Sequence, residues 1–131
     1  MYVDLPVKNL KRSVEFFTKL GFSFNPQLTD ENSTCMIIGE NMYAMLLVET
    51  FFKEFIPNEM TDTARSTETI VSLAVESRDA VDALVNRALN AGGKMTKPPI
   101  DMEGMYNRSF RDLDGHCWEV FTMDLSKMKP A

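Results

Sequence analysis

The chain repeats one pattern twice: alternating apolar residues, a polar residue, an amphipathic stretch and a glycine. Leu5 and Val7 of the first copy are matched by Leu73 and Val75, which lie 68 positions further along (73 − 5 and 75 − 7). Alternation of this kind predicts a strand, because successive side chains of a strand point to opposite faces. The duplication therefore predicts two similar βα units, and this constrains the fold more than any other feature.

Each copy carries its own signals for the start and the end of a helix. Asn9 and Ser77 stand where a side-chain oxygen can accept a hydrogen bond from a free amide of the first helical turn. Gly21 and Gly92 follow the last apolar residues, where a helix commonly ends in a left-handed conformation. The apolar residues with helical spacing are Leu10, Val14, Phe17 and Leu20 in the first copy, and Val81, Leu84, Val85, Ala88 and Leu89 in the second.

Three further strands are predicted after each helix. They cover residues 22–24, 35–38 and 43–49 in the first copy and residues 94–96, 108–111 and 117–123 in the second. Segment 50–68 is predicted to be a loop with room for a short helix, and segment 97–107 a plain loop. The sequence thus predicts one α+β domain over residues 1–131, with module one at about 1–50, a connection at about 51–68 and module two at about 69–125.

Composition limits the classes of partner. The net charge of −5 comes without any cluster of Lys and Arg, which argues against a nucleic-acid binder. No apolar run approaches the roughly 20 residues that span a bilayer, and no basic leader precedes an apolar core. We therefore expect a cytoplasmic protein that binds neither nucleic acid nor membrane. Cys35 and Cys117 form no metal-binding spacing, and reduced thiols are favoured over a disulfide, which stays open.

Three blocks of sequence resemble a known superfamily. They read LPVKNLKRSVEFFTKLGFSFNP, SLAVESRDAVDALV and RSFRDLDGHCWEVF. Together with the order βαβββ twice over, they resemble the glyoxalase/bleomycin-resistance/dioxygenase superfamily, also called vicinal oxygen chelate proteins. The resemblance is strongest to the branch labelled glyoxalase-like or lactoylglutathione lyase-related. It implies two βαβββ modules that form a cupped, eight-stranded mixed sheet with ligand or metal inside the cup.

The resemblance also implies where metal ligands would stand, and most of those positions lack donors. Tyr2 and Ile70 occupy two of them, and a third falls near Met45 or Leu47, so that only Glu119 keeps the expected ligand type. Zinc and nickel need about four N, O or S donors. The single histidine, His116, cannot supply a two-histidine iron site and is read as part of a hairpin turn. We predict no transition metal and no cofactor, while an oxygen-ligated Mg²⁺ or Ca²⁺ on Asp4 and Glu119 stays open.

Strand alternation predicts which side chains line the cup beside Glu119. On the last strand, Trp118 and Val120 would then point to the helices. The residues predicted to bind a ligand are Tyr2, Asp4, Tyr43, Met45, Leu47, Ile70, Ser72, Arg108 and Phe121. Two alternatives stay open: the methionines and aromatic residues could simply form core, and Glu119 could have a structural partner such as Arg108, Arg111 or Tyr2.

The function predicted from these observations is binding of a small organic ligand without a transition metal. The alternative is a divalent-metal-dependent, glyoxalase-like lyase or isomerase in which Glu119 is the catalytic residue. A purely structural dimer with a filled interior is a third option. A homodimer is predicted in each case, and the loop around Phe51, Phe52 and Phe55 serves as a lid or as an interface.

Overall fold

The computed structural model describes residues 1–128, and these residues form two compact units, Met1–Ser66 and a second that begins at Thr67. The first contains strands β1 (Tyr2–Val7), β2 (Ser23–Asn25), β3 (Ser33–Gly39) and β4 (Met42–Val48) with helices α1 (Leu10–Lys19) and α2 (Glu49–Phe52). The second contains helix α3 (Arg78–Asn90) and strands β5 (Ile70–Ala74), β6 (Lys94–Met95), β7 (Ile100–Met102), β8 (Met105–Arg111) and β9 (Cys117–Met123). Short 3-10 turns lie at Pro26–Leu28, Lys53–Phe55 and Leu125–Lys127.

Each unit has one sheet, and the two sheets share a strand arrangement. The first has the order β1-β4-β3-β2 and the second the order β5-β9-β8-β6, with β7 also paired to β8. In both, the strand before the long helix runs parallel to the last strand of the unit, and the other pairs are antiparallel. The predicted duplication and the α+β class are therefore confirmed.

The predicted helix ends are also confirmed. The side chain of Asn9 accepts a hydrogen bond from the Arg12 amide, and that of Ser77 accepts one from the Ala80 amide. Gly21 and Gly92 adopt φ angles of 105° and 110° after the helices. Such angles strain any residue with a Cβ, so these two glycines end α1 and α3 at low energetic cost.

Most of the largest buried side chains come from one face of each long helix and from the sheet face that packs against it. In the first unit Leu5, Val7, Phe17 and Leu46 are buried, and in the second Trp118, Val120, Phe110, Val81 and Val85 are buried. This is the pattern expected when an amphipathic helix covers one face of a sheet. On the opposite face of the first sheet, Cys35 and Leu47 are buried as well. Among residues 1–128, no helix is both long enough and apolar enough to cross a bilayer.

The segment predicted as a plain loop contains structure. Residues Ile100–Met102 form β7, which pairs with β8, and β8 itself begins at Met105 rather than at Arg108. The strands of the described residues therefore number nine, in sheets of four and five, and not eight. Segment 50–68 does hold the expected short helix, since its first residues belong to α2 and to the 3-10 turn Lys53–Phe55.

Candidate functional site

The sheet of the second unit has an open face that centres on Glu119. In register, Glu119 lies opposite Ser72 of β5 on one side and Ser109 of β8 on the other. Paired residues point to the same face, so these three side chains project from it together. The other residues of this face include Ile70, Ala74, Cys117, Phe121, Asn107 and Arg111.

Glu119 is held by two partners that differ in charge. The hydroxyl of Ser72 donates to Oε1 at 3.2 Å, and the ammonium of Lys97 lies 3.3 Å from Oε2. The side chain of Glu119 is only 18% exposed, whereas that of Lys97 is 46% exposed. A carboxylate this shielded needs compensation, and Lys97 provides it from the segment before β7. The partners of Glu119 within its unit are thus Ser72 and Lys97, whereas the predicted partner Arg108 donates to Asp82.

Two buried polar side chains of β8 extend the site. The hydroxyls of Ser109 and Thr96 lie 2.5 Å apart, and both Ser109 and Asn107 are buried. The side-chain oxygen of Asn107 is buried and has no hydrogen-bond partner. A buried acceptor without a partner is uncommon in folded proteins and often marks a place where a ligand or water completes the bonding. The face around Glu119 is therefore polar at its centre and apolar at Phe121 and Ile70.

Arg108 lies on the opposite face of the same sheet. Its guanidinium donates to Asp82 of α3 at 2.9 Å and to Asn86 at 3.0 Å. Tyr106 donates to the same Asp82 carboxylate at 2.7 Å, and these bonds from Tyr106 and Arg108 hold the pKa of Asp82 below its usual value. Arg108 thus links β8 to α3 through these hydrogen bonds. Ligand contact by Arg108 stays a prediction.

The turn before β9 is organised by one buried aspartate. Asp112 accepts hydrogen bonds from the amides of Asp114 and His116 at 2.9 and 3.0 Å and from the indole of Trp118 at 2.9 Å. Burial raises the pKa of Asp112 above its usual value, and its hydrogen bonds and the neighbouring His116 offset only part of this rise. His116 contributes its backbone amide to this turn, in line with its interpretation as a hairpin residue. Because Trp118 is fixed on the helix-facing side, its neighbour Glu119 must project from the open face.

The predicted site residues of the first module lie on the first sheet. Tyr2 pairs with Tyr43, and their rings stack with centroids 4.8 Å apart. Asp4 pairs with Met45, and Leu47 follows two positions later on the same face, where Leu47 is buried and Asp4 is exposed. The structure therefore brings Tyr2, Asp4, Tyr43, Met45 and Leu47 onto one face of their own sheet, which is exposed at Tyr2 and Asp4 and buried at Leu47.

Sequence reasoning missed Lys97, Asn107 and Ser109. Lys97 follows a two-residue strand and precedes Pro98 and Pro99, so no periodic pattern indicates where its side chain points. Asn107 could have been found if the predicted strand 108–111 had been extended by three residues, whereas Ser109 already lay within it and alternates with Arg108 and Phe110. Their shared signal is a pair of short polar side chains at every second position of a strand.

A cleft of about 590 Å³ lies at the end of the second sheet, beyond Glu119. It is bordered by residues of β8 and β9 and by the turn that follows β9. The guanidinium of Arg78 stacks over the ring of Tyr106 at 4.2 Å and forms an ion pair with Asp101 at 2.5 Å. The remaining lining residues include Glu76, Gly104, Met105, Thr122, Met123, Asp124, Leu125, Ser126 and Lys127.

The donor set at Glu119 does not fit a transition-metal ion. Ile70, at a position where the resemblance implied a histidine, has no donor atom, and both carboxylate oxygens of Glu119 already have partners. Within residues 1–128, no three side chains of His, Cys, Asp or Glu gather into a group that could hold a metal ion. Zinc, nickel and iron sites need three or four such donors.

Comparison with known proteins places the chain in a family. A hypothetical protein of S. aureus, SA1046, is 31% identical, with a TM-score of 0.80 over 93% of this chain and 92% of that one. A glyoxalase/bleomycin resistance protein/dioxygenase family enzyme of Burkholderia phytofirmans is 16% identical, with a TM-score of 0.78 over 94% and 97% of the two chains. The fosfomycin resistance protein FosX of Mesorhizobium loti is also 16% identical, with a TM-score of 0.69 over 96% and 92%.

At 16% identity the likeness to the last two proteins shows the fold alone. No curated protein matches the chain. Residues 1–120 match the family model described as the Glyoxalase/Bleomycin resistance protein/Dioxygenase superfamily, and the chain belongs to that superfamily.

Proposed function

We propose that the protein binds a small organic ligand on the open face of the second sheet, around Glu119, without a transition metal. The observation that carries the proposal is the shielded carboxylate of Glu119 between Ser72 and Lys97. A carboxylate held in this way is a fixed acceptor, and the ammonium beside it is a fixed donor. Both groups lie on a face of the sheet where a ligand can reach them.

The surroundings of the Glu119–Lys97 pair indicate the chemistry of the ligand. Ser72 adds a hydroxyl, whereas Phe121 and Ile70 offer apolar surface on the same face. Binding sites for small molecules combine mainly apolar walls with a few fixed polar groups. The ligand that fits best has an apolar or aromatic body and one polar edge, with an acceptor for Lys97 and a donor for Glu119.

The proposal also includes the face of the first sheet that carries Tyr2 and Tyr43. Tyr2 and Tyr43 form a stacked pair there, and Met45 and Leu47 continue the apolar surface next to Asp4. Stacked phenols give a rigid, flat surface that suits an aromatic ring. We therefore propose Tyr2, Asp4, Tyr43, Met45 and Leu47 as ligand contacts on the sheet of the first unit, considered by itself.

The enzymatic alternative makes a different demand on the same residues. A divalent ion at Glu119, as in a glyoxalase-like lyase or isomerase, would have to displace the ammonium of Lys97 from Oε2. The ion would then rely on one carboxylate and on neutral oxygens, which suits Mg²⁺ or Ca²⁺ rather than zinc or nickel. The binding function needs no such displacement, and this is why we prefer it.

Ligand binding with and without the charged pair tests the proposal. The purified chain would first be analysed for metal and then screened by ligand-observed NMR against a library of aromatic fragments that carry a carbonyl, carboxylate or amide. For the best fragment, Glu119→Gln and Lys97→Met are each expected to weaken binding by about tenfold, which corresponds to about 1.4 kcal/mol. Lys94→Met is the matched control, because Lys94 is an exposed lysine of the neighbouring strand β6.

Two results would contradict the proposal. Equal affinity in Glu119→Gln, Lys97→Met and Lys94→Met would place the fragment elsewhere. Stoichiometric nickel or zinc, together with turnover of methylglyoxal and glutathione that Glu119→Gln abolishes, would establish the enzymatic alternative instead.

A cytoplasmic location and a homodimer complete the proposal. The rings of Phe51 and Phe55 meet edge to face with centroids 5.0 Å apart, and Phe55 remains exposed. Exposed aromatic side chains of this kind favour association with a second copy. Light scattering of the wild type and of Phe55→Ser tests this, since a dimer through this segment predicts a monomeric variant.

A further inference from the structure

Four of the ten methionines meet around one hairpin of the second unit, and the ligand site at Glu119 does not use them. Met102 and Met105 are the last pair of the β7–β8 hairpin, on either side of its two-residue turn. Met105 is paired in turn with Met123 of β9. The three residues therefore form a row across three adjacent strands, and we call Met102, Met105 and Met123 the methionine row.

The geometry of the sheet places the three methionine side chains on the same face of adjacent strands. Directly paired residues point to the same face with Cα atoms about 4.5–5.5 Å apart. The methionine side chain has three rotatable bonds, so neighbouring sulfur atoms can approach one ion from such positions. Met102 is 55% exposed and Met123 is 49% exposed, so the row is open to solvent rather than part of the core.

A fourth methionine lies at the same turn. A Cβ atom on Gly104 would stand 2.7 Å from Cγ of Met128, so the Met128 side chain packs closely on the turn. The Gly104 carbonyl also accepts a hydrogen bond from the Asp124 amide at 2.7 Å, which ties the segment after β9 to the hairpin. Asp124 follows Met123 in the sequence, and its carboxylate accepts hydrogen bonds from the amide and the hydroxyl of Ser126 and lies 4.0 Å from the ammonium of Lys127.

We propose that the methionine row, with Met128 beside it, is a binding site for a soft monovalent cation, Cu(I). Thioether sulfur is a neutral, polarizable donor that selects Cu(I) over zinc, nickel or magnesium. Three thioethers satisfy a three-coordinate ion. The site lies roughly 13 Å from Glu119 along β9, since four residues of a strand separate them. It is therefore independent of the ligand site.

The test uses the full chain with Cys117→Ser, so that the half-buried thiol cannot compete, whereas Cys35 is fully buried. Cu(I) would be supplied anaerobically from a chromogenic chelator, and Ag(I) would serve as a redox-inert probe for NMR of the methionine methyl groups. The expected result is one bound ion, with the methyl signals of Met102, Met105 and Met123 shifted at one equivalent. Replacing all three by leucine conserves volume and should weaken Cu(I) binding by about tenfold or more.

The matched control replaces two methionines that lie elsewhere. Met42 and Met95 are 47% and 58% exposed, so Met42→Leu with Met95→Leu removes equally accessible thioethers and should leave Cu(I) affinity unchanged. Equal loss in the control and in the row variant would show that exposed methionines bind the ion without a site. Unshifted methyl signals, together with an apolar dye that binds the wild type and the leucine variant equally, would identify the row as an apolar docking surface and overturn the proposal.

Discussion

Replacing Asp112 by alanine should destabilise the second unit strongly, because one carboxylate serves three donors. The indole N–H of Trp118 is fully buried, and Asp112 is its partner at 2.9 Å. Leaving a buried donor without a partner costs about 1–3 kcal/mol. The amides of Asp114 and His116 each lose a bond worth about 0.5–1.5 kcal/mol, partly replaced by water. We therefore expect the free energy of unfolding of Asp112→Ala to fall by about 3 kcal/mol.

The measurement is urea denaturation followed by far-UV circular dichroism. Tryptophan fluorescence is unsuitable because Trp118 is the single tryptophan and one of the variants replaces it. Asp62→Ala is the control: this exposed aspartate also accepts a backbone bond, from the Ala64 amide at 3.1 Å, and should cost less than about 1 kcal/mol. A double-mutant cycle with Trp118→Phe isolates the indole bond and should give a coupling of about 1–2 kcal/mol. Equal losses for Asp112→Ala and Asp62→Ala, or a coupling near zero, would refute this account of the turn.

Three further predictions concern the second unit and are checked by urea denaturation. The hydrogen bond to Asp82 raises the pKa of Tyr106, so its stabilisation is present below the ordinary pKa of about 10 and is lost as the pH rises through the folded value. Tyr106→Phe should remove this alkaline loss, and an unchanged pH profile would contradict the assignment. Gly104→Ala should cost about 2 kcal/mol, because φ is +87° and the new Cβ would meet Met128 at 2.7 Å; a neutral effect would show that the hairpin turn can shift. Asn107→Leu should be neutral or stabilising by up to about 1 kcal/mol, since it removes a buried oxygen without a partner; a large loss would mean that a water bonds this oxygen in the free protein.

Much of the fold could be predicted because its signals are local. Asn9 and Ser77 cap the helices through an amide three residues away, and Gly21 and Gly92 end them with angles that other residues avoid. In a long alternating run such as Cys117–Met123, the alternation itself indicates which side chains share a face. The predicted bounds of β9 agree with the observed ones. Strand β7 has only three residues after two prolines, and a run that short has no detectable period.

The site was less predictable because its contacts span long stretches of sequence. Glu119 was identified, but its partners lie 47 and 22 residues away, at Ser72 and Lys97. No pattern within the segment of Lys97 indicates that its ammonium reaches β9. Arg108 illustrates the opposite problem: the predicted β8 began at Arg108, and without the preceding residues the alternation could not show that it faces α3.

The pairing of the first strand with the last strand within each unit has a consequence for how such a gene can change. Within residues 1–128, every pair of hydrogen-bonded strands lies either wholly before Ser66 in the sequence or wholly after it. A nick, an insertion or a crossover of coding sequence at that point leaves all backbone ladders whole. Halves of related genes can therefore be recombined at this position without separating any paired strands.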